Sequence, residues 1–354
     1  MPSAADTPQS IVQKLIRLLA LGLVLTACQK PSDGPSKLDH YLDRLSGAID
    51  SPIASTRPGA LPRLNSAPLT PLVLPTADLG VLDFLSLSDC ALQVNLARRN
   101  SSLGRVAGAS QRLLLDLEFL RLAPACIDKL RDRGDPDLAR QIEAAFTTRR
   151  THLPAAIYNA VLGGSEYRDF WKIPAVLGNY PLNTGGDLPA ALQVIDNQSA
   201  AWLAGDYRVT PTPHLEDLLA TLRSGDGGTL LLAASYQHEA LAEANLALGE
   251  ASPLCPFGTT TQRALTLRNV VAKYFAADTQ QWLAELSRRE VSLMQPLRAL
   301  EARLSTVLPR EYTGWQQQRD AHLASLRRTP RAHVEAIQAV FRECPGSIAG
   351  TQGQ

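Results

Sequence analysis

The strongest constraint on the fold is a seam of regularly spaced side chains in the C-terminal part of the sequence. Leu267, Val271, Tyr274, Asp278, Trp282, Leu286, Leu293, Leu297, Leu300 and Leu304 keep close to a 3.5-residue repeat. That repeat is the mark of a helix lying along a partner. Pro296 falls inside it. A proline ring carries no N–H and crowds the preceding turn, so this helix is expected to kink or divide there. A return path follows in Tyr312, Trp315, Leu323, Leu326, Val334, Ile337 and Phe341. No alternating strand pattern and no internal repeat is visible anywhere. The expected fold class is therefore all-α: a multi-helix bundle with a long C-terminal antiparallel helical hairpin.

The rest of the chain follows the same period. A short amphipathic helix is expected from Leu38 to Ile49, using Tyr41, Leu42 and Leu45. A stretch with Pro52, Pro58, Pro62, Pro68, Pro71 and Pro75 then excludes helix and favours extended chain. Leu69, Leu72, Val73 and Leu74 should lay its second half against the body. Val81, Leu82, Leu85, Leu92 and Leu96 mark one or two short helices. Leu103, Val106, Leu113, Leu114, Leu117 and Leu120 mark a longer one that stops near Pro124. Asp135-Pro136 caps a helix through Leu138, Ile142 and Phe146, and Pro154 begins a further segment. Residues 178–186 (G-N-Y-P-L-N-T-G-G) form a loop by their turn chemistry, as does Asp226-Gly227-Gly228. The organisation expected is a signal segment at 1–27, a tether and proline-rich linker at 28–75, one helical domain at 76–345 and a tail at 346–354. Subdomains at 76–180 and 187–345 are compatible with this pattern.

Near the N-terminus, Lys14 and Arg17 precede the apolar run Leu18-Leu19-Ala20-Leu21-Gly22-Leu23-Val24-Leu25. The run falls short of the roughly 20 apolar residues that span a bilayer and suits a signal-peptide core. Leu25-Thr26-Ala27-Cys28 resembles the lipobox of bacterial lipoproteins. That resemblance implies cleavage before Cys28, a diacylglyceryl thioether on its sulfur and N-acylation of the new terminus. Two or three acyl chains anchor stably where one binds only marginally. Gln29, by resemblance to Gram-negative sorting, favours the periplasmic face of the outer membrane.

Removing residues 1–27 leaves 33 basic and 33 acidic side chains. A neutral chain of this kind is not expected to bind nucleic acid, since phosphate recognition needs a basic excess. The charge is unevenly placed: residues 28–254 carry −5 and residues 255–354 carry +5. With Cys28 lipidated, Cys90, Cys126, Cys255 and Cys344 remain. An even number in an oxidising compartment suggests two disulfides, with three connectivities. If a helix runs out after Cys90 and another runs back, Cys90 and Cys126 meet at one end, and the same logic brings Cys255 to Cys344. Cross-pairing would instead tie the two halves together.

Motifs that carry chemistry are incomplete. His238-Glu239 lacks the second histidine of H-E-x-x-H, because position 242 is alanine. Gly163-Gly164-Ser165 does not extend to G-x-S-x-G. No P-loop or dinucleotide fingerprint is present, and no cofactor or metal site is expected. Glu166, Asp169, Glu216, Asp217 and Glu239 are carboxylates that a hydrolase could draw on. One stretch is unusually polar: Asp89, Gln93, Asn95, Arg98, Arg99, Asn100, Ser101, Ser102 and Arg105. It is either an exposed turn with a serine cap or a binding surface. On one continuous helix Arg98 and Arg105 would stand two turns apart on one face.

The run S-D-C-A-L-Q-V-N-L-A-R-R-N-S-S-L-G-R-V (88–106), the spacing from Cys90 to Cys126 and the lipobox resemble a group of uncharacterised Gram-negative lipoproteins defined only as a domain of unknown function. The resemblance covers the chain after the linker. It implies an envelope lipoprotein and supplies no activity, ligand or catalytic residue. The expected function is a non-enzymatic envelope binding protein, held to the membrane by its lipid anchor and engaging an envelope protein partner. The alternatives are a hydrolase acting on cell wall or lipid, and a carrier with an apolar pocket between helices.

Overall fold

The computed structural model describes residues 34–54, 58–64, 71–75, 87, 89–182, 184–185, 187–210 and 214–345. The signal segment, Cys28, the short helix expected around Val81 to Leu85 and the tail lie outside the described residues. Among the described residues the protein is all-α, with no strand. The helices are α1 (Gly34–Ile49), α2 (Leu92–Asn100), α3 (Ser102–Arg105), α4 (Ala109–Asp132), α5 (Pro136–Ala160) and α6 (Ser165–Phe170). They continue as α7 (Asp187–Leu203), α8 (Leu215–Arg223), α9 (Gly227–Glu250), α10 (Gln262–Val270), α11 (Gln280–Arg303), α12 (Arg310–Leu323) and α13 (Ser325–Val340). Cys90 pairs with Cys126 and Cys255 with Cys344, with Cα atoms 5.5 and 5.1 Å apart. Both are the local pairings, and each closes a loop long enough to stabilise by on the order of 4 kcal/mol.

The core divides across a helical hairpin rather than between residues 180 and 187. One end of the α4–α5 pair builds a small lobe with α2, from Leu92, Leu96, Phe119, Ile127, Leu130 and Ile142 around the Cys90–Cys126 bridge. The other end, with Leu113, Leu117, Leu153 and Ile157, enters the main core. The helix expected to stop at Pro124 runs on to Asp132, and Pro154 and Pro296 likewise sit inside α5 and α11. A helix-internal proline costs about 3 kcal/mol, but each is followed by buried residues that exist only if the helix continues. Cys126, Ile127 and Leu130 follow Pro124, and Leu297 and Leu300 follow Pro296.

The irregularity falls elsewhere. Between α10 and α11 the chain is π-helical over Val271–Thr279. A π turn takes more residues than an α turn, so the seam slips. Phe275 and Thr279 are buried where Tyr274 and Asp278 were expected, and the seam regains its phase at Trp282 and Leu286. The return helix α13 packs chiefly on α9.

α1 is part of the body and not of a tether. Leu38, Tyr41, Leu42, Leu45 and Ile49 are all in the main core, and α1 lies against α9, α10 and the π-helical stretch. Its Tyr41 hydroxyl donates to Nε2 of His333 at 2.7 Å, and His333 Nδ1 lies 2.6 Å from Asn245 Oδ1. Nδ1–H donating to Asn245 while Nε2 accepts describes a neutral imidazole. The extended segment 71–75 also lies on the body: Leu72 N–H donates to Asn159 Oδ1 at 2.7 Å and Asn159 Nδ2 donates back to Leu72 O at 2.9 Å.

The main core contains a buried ion pair. Arg319 of α12 donates from Nη1 and Nη2 to the two oxygens of Glu301 of α11, at 2.6 and 2.9 Å. Neither side chain is exposed. Tyr312 hydroxyl donates to Glu301 Oε1 at 2.6 Å and Gln316 Nε2 to Oε2 at 2.7 Å, so the carboxylate is fully engaged. Tyr167 of α6 joins at 2.8 Å from Tyr312, and Trp171 and Trp315 flank the guanidinium at 5.4 and 5.0 Å from their ring centroids. Burial pushes the Glu301 carboxyl up, but the bonds and charge of Arg319 outweigh it and hold it below its ordinary value.

Two predictions follow from these contacts. Arg319→Met leaves a buried carboxylate unpaired and should cost about 3–5 kcal/mol in urea unfolding. Glu301→Gln with Arg319→Met removes both charges and should lie closer to wild type; a loss under 1 kcal/mol for the single variant would contradict the role given to the pair. Burial also pushes the His333 pKa down to about 4, from 6.5. A depressed histidine contributes stability above its unfolded pKa and loses it as pH falls from 6.5 through 4, up to about 3 kcal/mol. His333→Gln, which keeps a donor and an acceptor, should flatten the stability profile over that window. A profile identical to wild type would show that His333 does not titrate with unfolding.

Candidate functional site

The polar stretch at 89–105 lies on the edge of the small lobe. α2 ends because Ser101 leaves helical geometry, and its hydroxyl accepts the Gly104 N–H at 3.1 Å to cap α3. Arg98 and Arg105 therefore sit on separate helices and not two turns apart on one. Arg98 pairs with Glu118, and Arg99 Nη1 lies 2.5 Å from Asp116 Oδ1. Asn95 is buried and donates to Leu115 O and Glu118 Oε2 at 3.0 and 2.9 Å. The Asp89 carboxylate is 3.9 Å from Arg133, and its carbonyl accepts from Lys129 at 3.0 Å. Asn100 and Arg105 are exposed and Gln93 is half-buried. The break at Ser101 has a second effect. Leu103 and Val106, expected inside a long helix, are 79% and 78% exposed, and Val94 is 62% exposed. One short segment thus presents three bare apolar side chains beside its arginines.

The carboxylates of the central helices serve the scaffold. Glu166 and Asp169 both face Arg223 at 3.4 Å, Glu216 accepts from Gln111, and Asp217 accepts the His214 N–H. Glu239 accepts the Gly59 N–H at 3.0 Å, and His238 Nδ1 meets the Thr329 hydroxyl at 2.9 Å. Among the described residues no group of three or more His, Cys, Asp and Glu side chains is placed to hold a metal ion.

A cleft of about 720 Å³ opens between the loop around Tyr180 and the turn that starts α9. At its wall Arg289 of α11 donates from Nε and Nη2 to the two oxygens of Asp226, at 2.9 and 2.7 Å. Both side chains are largely buried. Glycine is required where α9 begins: a Cβ on Gly227 would stand 2.6 Å from the Phe170 ring, and one on Gly228 2.1 Å from Lys172 O. Tyr180 is 5% exposed, its carbonyl accepts from Trp282 Nε1 at 2.8 Å, and its buried hydroxyl lies beside Asp226 and Arg289 without a hydrogen bond of ordinary geometry to either. Burial, and then the Asp226 charge, hold that phenol well above its ordinary pKa, so it stays protonated.

Residues 38–347 match the family described as Protein of unknown function (DUF3080). The chain belongs to that family. No curated protein and no solved structure matches it. The family match starts inside α1, in keeping with the packing of α1 into the body. Sequence patterns miss the cleft in this DUF3080 chain because its parts are far apart. The 178–186 loop and the Asp226-Gly227-Gly228 turn read as ordinary turns, and nothing local couples either to Arg289. The cluster of glycines at 225, 227 and 228 is the one signal that a close approach is needed there.

Charge removal should separate the exposed and buried parts of the 89–105 surface. Arg98 is half exposed, so Arg98→Ala should cost at most about 1 kcal/mol. Asp116 serves both Arg99 and Arg149, the latter 7% exposed and 3.9 Å above the Phe119 ring. Asp116→Ala should therefore cost about 3 kcal/mol. Equal denaturation midpoints for the two variants would contradict this division.

Proposed function

We propose that this chain is a lipoprotein of the Gram-negative envelope, anchored through Cys28 on the periplasmic face of the outer membrane and acting as a non-enzymatic binding protein. The observation that carries the anchor is the sequence Leu25-Thr26-Ala27-Cys28 behind a short apolar run. Two disulfides in the body suit the oxidising compartment that such a signal leads to. Among the described residues no helix is long and apolar enough to cross a membrane, so the acyl chains would supply the attachment. Cys28 and Gly34 are six positions apart, which bounds their separation at roughly 20 Å. The Gly34 end of α1 would then stand close to the bilayer.

The binding role draws on the 92–106 segment. Bare Val94, Leu103 and Val106 next to Arg98 and Arg105 make a mixed apolar and basic surface, the kind of composition from which protein contacts are built. An envelope protein with an acidic rim around an apolar patch fits it.

Metabolic labelling with an alkyne palmitate tests the anchor. Wild type should label and fractionate with membranes, and Cys28→Ala should lose the label and remain unprocessed. An acylated, membrane-bound Cys28→Ala product would show that the anchor lies elsewhere.

A further inference from the structure

The cleft beside Tyr180 shares no residue with the α2–α3 surface and has its own chemistry. Three of its hydroxyls give their protons to the backbone. Thr184 donates to Pro181 O at 3.0 Å, Ser224 to Thr221 O at 2.9 Å and Thr221 to Asp217 O at 2.9 Å. What they leave for the cleft is acceptor lone pairs. Asp187 and Asp226 add carboxylate acceptors, and the charge of Arg289 is matched by Asp226. The wall therefore holds no unmatched cation, which disfavours a phosphate or carboxylate ligand. It calls for a guest rich in O–H and N–H donors.

The second observation is the Tyr180 hydroxyl. It is buried, it lines the cleft, and its approach to the Asp226–Arg289 pair falls outside hydrogen-bond geometry. Leaving such a group without a well-formed bond is costly, and under-satisfied polar atoms in a concave wall mark where a ligand atom completes the bonding. A protonated phenol can donate to a ring or hydroxyl oxygen while the surrounding acceptors take the donors of the same guest. A polyol offers both roles on one small neutral molecule, and a space of about 720 Å³ suits one of two or three sugar rings.

We infer that the cleft formed by Tyr180, Thr184, Asp187, Ser224, Asp226 and Arg289 is a binding site for a short neutral saccharide. Such a group reaches an envelope protein either as a cell-wall glycan fragment or as the headgroup of a glycolipid.

Calorimetry on the full chain, held in a detergent without a sugar headgroup, tests this. The probes are a linear N-acetylglucosamine trimer and vesicles containing a glycolipid with a disaccharide headgroup, with inorganic phosphate and ethanolamine as ionic controls. Saturable binding of the trimer supports the site with a cell-wall source, and binding of the glycolipid vesicles alone, in excess of binding to the same vesicles without the glycolipid, supports it with a membrane source. Tyr180→Phe removes a hydroxyl that makes no well-formed hydrogen bond, so it should leave the melting temperature within about 2 °C while weakening the saccharide roughly three- to tenfold. Absence of any saccharide binding, preference for phosphate or ethanolamine, or undiminished binding by Tyr180→Phe would overturn the inference. None of these outcomes depends on whether Cys28 is acylated.

Discussion

The Glu301–Arg319 pair is the constraint around which the main core is arranged. A guanidinium and a carboxylate removed from water face a desolvation penalty of several kcal/mol each. Here every oxygen of Glu301 is bonded, and the flat faces of Trp171 and Trp315 shield Arg319. That geometry fixes α6, α11 and α12 against one another with directional bonds, which aliphatic packing alone would leave free to slide. The charge sequence continues outward through Asp320, Arg298 and Glu290 to Arg327 of α13, so the pair is the dry end of a chain that reaches solvent.

Much of this architecture is legible in the sequence. The seam from Leu267 to Leu304 gives the rod, and the even cysteine count with out-and-back helices gives both bridges. The phase slip at Val271–Thr279 is not legible, because a π turn leaves no local signature and Tyr274 looks as good a core residue as Phe275. The helices run through Pro124 and Pro296 for a non-local reason: the buried residues beyond each proline outweigh one lost backbone bond. Glu290 was open to inference. It occupies the gap in the seam between Leu286 and Leu293, and a carboxylate at a core position demands a cation. Arg319 had no such signal, since its position beside Trp171 is set by tertiary packing.

The two candidate surfaces were legible to different degrees. The 89–105 stretch announces itself by composition, and its break at Ser101 follows from the preference of serine for caps. Its inward face is structural, through Asn95, Arg99 and Asp116, and Val94, Leu103 and Val106 are exposed on its outward side. Beyond the glycines at 225, 227 and 228 the cleft leaves no trace in the sequence, because Tyr180, Asp226 and Arg289 converge from separate elements. Gly34 packs on Trp282, and Trp282 bonds the Tyr180 carbonyl, so the cleft stands at the Gly34 end of α1. The other end of α1, where Arg263 holds Ile49 O at 2.5 Å, belongs with α10, just after Cys255 in the chain. An anchor at Cys28 would place the Gly34 end of α1, and with it the cleft, nearer the membrane than the Ile49 end.

That orientation depends on the covalent state of the N-terminus. Mass spectrometry of the N-terminal peptide of protein isolated from native membranes measures it directly. The account predicts a mature chain that begins at Cys28 and carries a diacylglyceryl group and an amide-linked acyl chain. A chain that begins elsewhere, or an unmodified Cys28 in the membrane fraction, would contradict it.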